Sequence, residues 1–383
     1  MKLKQFFSVL MAFALILSFS VSETQVDASS NKDSEIIVKF KEKTTKDVKK
    51  QIHLEENAEV LKTNEQIGFE VVKVKGKSIE KALEKYNKRA DVEFAEPIVE
   101  YHALFDPNDP LYSSDQYGPQ IIEADSAWDI TTGSSNVLVA VIDTGVDENH
   151  EDLKGKVVRG YDFIDNDNNP ADINGHGTHV AGTVGALTDN RVGVAGVAPD
   201  VKIMSVRVLD RDGFGTNEGV ANGITYAADN GADVINLSLG SPSSSRVVED
   251  AVNYAWDRGV VVVAAAGNAG NRKRNYPAYY TNTIAVAATD ENDRKASFST
   301  FGSWVDVAAP GVDIVSTRLG GGYVSYNGTS MASPHTAGLA ALLASQGLSN
   351  VEIRDKIEST ADPINGTGRY WEHGRINAYN AVR

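Results

Sequence analysis

From residue 106 onward the apolar positions form short, nearly unbroken runs: "NVLVAVID", "VKIMSVRVL", "ADVINLSLG", "VVVVAAAGN", "TIAVAAT" and "VDVAAPG". Runs of this kind suit strands buried on both faces, as in a parallel sheet. Between them lie the helical patterns "GTHVAGTVGAL", "EGVANGITYAADNGA" and "VVEDAVNYAWDRG", and after them comes "SPHTAGLAALLASQG". This alternation predicts an α/β domain, a helix-sheet-helix sandwich with a mainly parallel sheet, over residues 105–383.

Residues 29–104 follow a different pattern. "EIIVKF", "IGFEVVKVK" and "VEFAEPIVEY" read as extended segments. The polar stretch "TTKDVKKQIHLEENA" reads as a helix with Thr44 or Thr45 as cap, and "SIEKALEKYNKRA" as one capped by Ser78. The order strand-helix-strand-helix-strand suits a small α+β, ferredoxin-like unit. "HALFDPNDP" then breaks the periodicity with two prolines and marks a boundary. At the N-terminus, Lys2 and Lys4 precede "FFSVLMAFALILSF", and "VDA" precedes Ser29. That is the pattern of a secretory signal peptide over residues 1–28 rather than a membrane anchor. Secretion to the extracellular medium is the expected destination.

Charge sharpens this division. Residues 29–104 carry 15 Lys+Arg and 15 Asp+Glu, whereas residues 105–383 carry 20 and 35. The net charge of −15 therefore resides in the larger unit. This argues against nucleic acid or an anionic membrane as partner and leaves room for cations. The chain has no cysteine, so disulfides and thiol chemistry are excluded.

In open parallel sheets, ligands bind at the carboxyl ends of strands. Asp143 ends one apolar run, His176 stands between glycines in "NGHGTHVAGT", and Ser330 opens the run in "GTSMASPH". Taken singly, each has a plain alternative: a turn-forming Asp, a structural His, a helix-capping Ser. Together, in the order Asp, His, Ser, they fit a catalytic triad. A serine hydroxyl is a poor nucleophile near neutral pH and needs a base, which needs an orienting partner. Ser330 is then the nucleophile, His176 the general base and acid, and Asp143 the carboxylate behind it. Asn268, at the end of "AAAGN", is either a turn residue or an oxyanion donor paired with the main-chain N–H of Ser330. His176 and His179 also invite a metal reading, but the spacing of three and the missing Glu do not fit the zinc-hydrolase motif. A third possibility is a catalytically silent binding protein.

The stretches "VIDTGVD", "HGTHVAGT", "AAAGN" and "GTSMASPH" resemble the signature segments of subtilisin-like serine proteases. "NDPLYSSDQYGPQ" and "NYPAYYTNTIAVAATD" resemble most the thermitase branch, and residues 34–101 resemble the inhibitor-like prodomain of secreted subtilases. The resemblance implies a secreted serine endopeptidase acting on polypeptides, made as a preproenzyme. Residues 29–104 would be its own folding chaperone and inhibitor, removed by self-cleavage between Tyr101 and Phe105. The mature enzyme is expected as a monomer without a membrane anchor. Substrate would lie as an added strand between Gly213, Phe214, Gly215 and Ser238, Leu239, Gly240, with Gly267 beside Asn268. Ser241 stands where the family pattern has a second glycine.

The resemblance also implies structural Ca2+ at two or more sites. The tight site would use Asp109, Asp152 and Asn190 with carbonyls of Leu187, Val192 and Val194. The second would use Asp162, Asp165, Asp167 and Asn169, with Ala171 at one further ligand position. A third, weak cation place would involve Ala278, Tyr280, Thr283 and Asp306.

Overall fold

The computed structural model describes residues 34–99 and 106–383. The expected signal peptide and processing region therefore lie outside the described residues. The chain divides into two compact units at Tyr101/His102.

The smaller unit has four strands, β1 (Ser34–Phe40), β2 (Ala58–Asn64), β3 (Phe69–Val74) and β4 (Val92–Pro97), with helices Lys46–Glu55 and Ile79–Asn87. The sheet order is β2-β3-β1-β4 and the recorded pairings are antiparallel. This is the ferredoxin-like arrangement, with one strand more than the apolar pattern predicts. β2 escapes that pattern because five of its seven residues are exposed, so no apolar alternation is imposed on it. Thr45 is the cap of the first helix and accepts from Val48 N. Ser78 occupies the cap position of the second without a side-chain bond. The core is Ile36, Val38, Ile52, Val72, Val74, Ala82 and Tyr86, all fully or nearly fully buried.

The larger unit is built on β5 (Leu138–Asp143), β6 (Val157–Asp162), β7 (Lys202–Arg207), β8 (Val234–Leu237), β9 (Val261–Ala265), β10 (Ile284–Thr289), β11 (Val307–Pro310), the pair β12 (Ile314–Thr317) and β13 (Tyr323–Tyr326), and β14 (Gly374–Arg375). Eight of these form one sheet in the order β14-β11-β10-β9-β8-β5-β7-β6, with parallel neighbours. Successive residues feed opposite cores. Val139, Val141, Val261 and Val263 pack with helices His176–Gly185 and Thr329–Ser345. Ala140, Ile142, Val262 and Ala264 pack with helices Asn217–Asp229 and Arg246–Trp256. Every second residue is apolar toward each layer, hence the unbroken runs.

The pattern misses β6 and the β12–β13 hairpin. β6 is an edge strand with two of its six residues exposed, and Gly160 within it passes so close to β7 that a Cβ would lie 2.4 Å from the Ser205 carbonyl. The strand order reverses at β5, with β7 and β6 on one side and β8 onward on the other. Asp143 is the last residue of β5. The fold therefore puts it in the crevice where doubly wound sheets bind ligands.

Candidate active site

Asp143 is fully buried. Its Oδ1 accepts from the Thr144 amide and faces Nδ1 of His176, each at 2.7 Å. Oδ2 has no hydrogen-bond partner among the described residues. His176 is the first residue of its helix, preceded by Gly175 at φ 109°, a conformation that favours glycine. Gly177 is equally constrained, since a Cβ there would lie 2.1 Å from the Gly145 carbonyl. Burial disfavours the charged imidazole, but the charge and hydrogen bond of Asp143 outweigh it and hold His176 above the usual histidine range.

Ser330 lies in the first turn of the helix Thr329–Ser345. It is not the cap: Gly328 takes that position, with no side-chain bond. Pro334 sits inside the helix and lacks the N–H that would bond the carbonyl four residues back. That carbonyl belongs to Ser330, and it accepts instead from Ser238 Oγ at 2.8 Å. Ser330 Oγ donates to the Ser238 carbonyl at 3.2 Å. The structure does not join Ser330 to His176 by a hydrogen bond. A serine hydroxyl has a single rotor, and catalytic bonds commonly tighten only when substrate is present.

Asn268 is exposed and lies beyond the end of β9 rather than inside the sheet, unlike the buried strand end the pattern suggests. Its Oδ1 accepts from both the main-chain N–H and the hydroxyl of Thr329, each at 2.9 Å. Two donors on one side of the amide fix which end is nitrogen. Nδ2 has no acceptor among the described residues and lies 3.4 Å from the Cβ position of Gly328. The Ser330 N–H likewise donates to no described group. Both donors lie within 3.5 Å of the Cβ position of Gly328, at the start of the helix that carries Ser330. Thr329, which also receives the Gly267 N–H at 3.0 Å, is a positioning residue that sequence reading misses. Its signal is hydrogen-bond geometry, not residue type.

A cavity of about 730 Å³ runs from His176 between Gly213–Gly215 and Ser238–Gly240 toward Tyr280. Gly215 and Gly240 make no main-chain hydrogen bonds with described residues, so both edges can receive a strand. Phe214, 73% exposed, stands at the rim. A Cβ on Gly240 would meet Asn275 Nδ2 at 2.2 Å, and one on Gly267 would meet it at 3.0 Å. Asn275 therefore fills the space between them. Ser241 lines the cavity while its main chain exchanges bonds with Tyr276.

His179 takes no part in a metal site. Its Nε2 lies 3.0 Å from the Ile314 carbonyl and 3.1 Å from that of Val324, and its ring stacks on Tyr326. Burial lowers its pKa to about 4, so it is a neutral core histidine.

The three candidate cation places differ. At the first, Asp109 and Asp152 are buried, and burial raises both carboxyls, with mutual repulsion adding to Asp109. Asn190 Nδ2 reaches Asp152 Oδ1 at 2.8 Å. The connecting loop is curled by left-handed residues Asp189, Arg191 and Gly193. The carbonyls of Leu187, Val192 and Val194 accept no bond from the described residues. Two buried, mutually repelling carboxylates among idle carbonyls are the kind of donor set a hard cation takes, and here the carboxylates accept from the Asp189, Asn190 and Val194 amides and Asn190 Oδ1 from that of Val192. At the second, the residues do not fit. Arg207 Nη1 lies 2.6 Å from both Asp162 Oδ2 and Asp165 Oδ2. Asp162 Oδ1 is taken by the amides of Ile164 and Asp165, and Asp167 Oδ1 by that of Asn169. A guanidinium stands where a metal was expected, and Ala171 offers no side-chain oxygen. Arg207 reads in sequence as an ordinary strand residue, which hides this role. At the third, Asp306 is bonded to Arg354 and the Ala285 amide. No cluster of three or more His, Cys, Asp or Glu able to hold a metal occurs among the described residues.

This geometry agrees with what the chain resembles. Residues 134–376 match the subtilase family, and residues 22–97 match the fervidolysin N-terminal prodomain. A thermophilic serine proteinase of Bacillus sp. (strain AK1) is 49% identical, with 98% of this chain and 99% of that protein covered. Thermitase of Thermoactinomyces vulgaris is 61% identical over 73% of this chain and all of that protein. A solved protease from Pseudoalteromonas arctica PAMC 21717 superposes with a TM-score of 0.68 at 35% identity, covering 72% of this chain and 98% of that one. The chain belongs to the subtilase family. It is a subtilisin-like serine protease of the thermitase branch, with an N-terminal prodomain.

Proposed function

We propose that the chain is a secreted, calcium-stabilised endopeptidase that works through Asp143, His176 and Ser330 and an acyl-enzyme intermediate. The observation carrying the reading is the 2.7 Å hydrogen bond between His176 Nδ1 and buried Asp143, with two donors near Gly328, Asn268 Nδ2 and the Ser330 N–H, left without acceptors among the described residues. In the first step Ser330 Oγ attacks the scissile carbonyl carbon and its proton passes to His176 Nε2. The developing oxyanion is met by Asn268 Nδ2 and the Ser330 N–H. His176 returns the proton to the leaving amine, and water repeats the sequence to free the acid. Asp143 holds the imidazole in the tautomer that presents Nε2 to serine.

A serine-directed phosphonylating reagent tests this reading. It should label Ser330 alone, and the rate should fall on acidification. Only neutral imidazole can take the proton, so a raised His176 pKa places that fall above the ordinary histidine value near 6.5. A metal-dependent hydrolase or a silent binding protein would leave Ser330 unlabelled.

The precursor reading assigns residues 1–28 to export and residues 29–104 to an intramolecular chaperone and inhibitor, cut between Tyr101 and Phe105. Parallel sheets pair strands far apart in sequence and fold slowly, which gives a template a task. No helix of the described residues is long and apolar enough to cross a membrane. Calcium would be held by Asp109, Asp152 and Asn190 with the carbonyls of Leu187, Val192 and Val194. When bound it compensates the two buried carboxylates and ties the segment before Tyr112 to the loop 187–194. The double variant Asp109→Ala, Asp152→Ala should lose the calcium dependence of its thermal midpoint. At a hundredfold over Kd a native-state ligand contributes about 2.7 kcal/mol. Equal calcium dependence in variant and parent, measured by scanning calorimetry, would put the site elsewhere.

A further inference from the structure

We infer that Asp172 is a positioning residue of the catalytic apparatus, a second carboxylate that locks Asp143 and His176 into one geometry. It is buried, and both of its oxygens are fully engaged. Oδ1 accepts from Thr144 Oγ1 and from the amides of Asn174 and Gly175, each at 2.9 Å. Oδ2 accepts from the Thr178 amide at 2.9 Å and its hydroxyl at 2.6 Å.

These five donors come from both sides of His176 and from the residue after Asp143. Asn174, Gly175 and Thr178 bracket the imidazole in sequence. Thr144 links the group to the end of β5, and its Oγ1 in turn accepts the Gly177 amide at 3.0 Å. The helix of His176 begins at a glycine that supplies no side-chain cap. Asp172 therefore satisfies N-terminal donors that the helix itself leaves open. Removing this one side chain strips five donors of their acceptor and leaves the loop carrying His176 held to the end of β5 through the Thr144–Gly177 and Asp143–His176 bonds.

The arrangement has an electrostatic side as well. Three titratable groups act on or beside His176: Asp143, Asp172 and His179. His179 is kept neutral by burial, which leaves two carboxylates favouring the imidazolium that forms in the transition state. Tether and charge make separable contributions. Thr144 carries the tether alone, whereas Asp172 carries both.

The inference rests on the triad reading and deepens it. The test measures steady-state constants and the pH dependence of Ser330 phosphonylation in Asp172→Asn, Thr144→Val and Thr144→Ser. Misplacement of a catalytic group by about 1 Å can cost on the order of 10²-fold. Asp172→Asn should lower kcat by that order with little change in KM, and should move the acidic limb of labelling to lower pH. Thr144→Val should lower kcat without moving that limb, and Thr144→Ser should restore it. If Asp172→Asn fails to fold, the Thr144 pair still decides the tether. Unchanged kcat, a loss confined to KM, or a loss of kcat with the acidic limb unmoved in Asp172→Asn would overturn the inference. Failure of the parent enzyme to label at Ser330 would instead overturn the triad reading.

Discussion

Ser330→Ala should produce a folded chain with essentially no peptidase activity. The loss in kcat is expected on the order of 10⁶-fold, the size known for the same residue in subtilisin. Folding should survive because the side chain makes one hydrogen bond, the 3.2 Å contact to the Ser238 carbonyl. A net bond of that kind contributes about 0.5–1.5 kcal/mol. The reciprocal bond, from Ser238 Oγ to the Ser330 carbonyl, uses main chain and is retained. The same variant reports on maturation. If the prodomain is removed in cis, exported Ser330→Ala should run near precursor length. Intact-mass measurement in a host free of other proteases checks this, and normal processing there would refute self-cleavage.

Asn268→Leu should lower kcat about 10²–10³-fold with a much smaller change in KM, the size known for the corresponding amide of subtilisin. The oxyanion exists mainly in the transition state, so its donor acts mainly on kcat. The substitution also strips the acceptor of two Thr329 donors, so a second variant is needed to separate the effects. Asn268→Asp keeps an oxygen for Thr329 and replaces the Nδ2 donor by a carboxylate oxygen. If the amide acts as oxyanion donor, Asp should be at least as damaging as Leu. If Asn268 only positions Thr329, Asp should be mild. Steady-state kinetics on one peptide substrate distinguishes the two.

How far the sequence carries the account depends on what each residue's signal consists of. The six buried strands were legible because both their faces meet apolar layers. Asp143, His176, Ser330 and Asn268 stood out as candidates because polar residues close to glycines, near strand ends and helix starts, make extended motifs. β2 and β6 were not legible: five consecutive residues of β2 are exposed, so neither of its faces demands apolar positions, and β6 is an edge strand interrupted by Arg159 and Gly160. Gly328 as the cap was hidden by the serine two positions on. The consequence of Pro334, a missing N–H that leaves the Ser330 carbonyl open to Ser238, needed the fold to appear. Asp172 and Thr329 act through hydrogen bonds to residues on other elements, which spacing does not encode. At the second cation place the part of Arg207 was not legible, because it stands more than forty positions from Asp162 and only the fold brings it between Asp162 and Asp165.

The central claim is a covalent acyl-enzyme on Ser330. Its most direct test mixes enzyme with a reactive peptide ester, quenches with acid within the first turnover, and maps the adduct by mass spectrometry. The account predicts one acyl group per active chain, on Ser330, absent from Ser330→Ala and strongly slowed in a His176→Ala variant. Full turnover with no acyl adduct at any time point, or an adduct on a different residue, would contradict it.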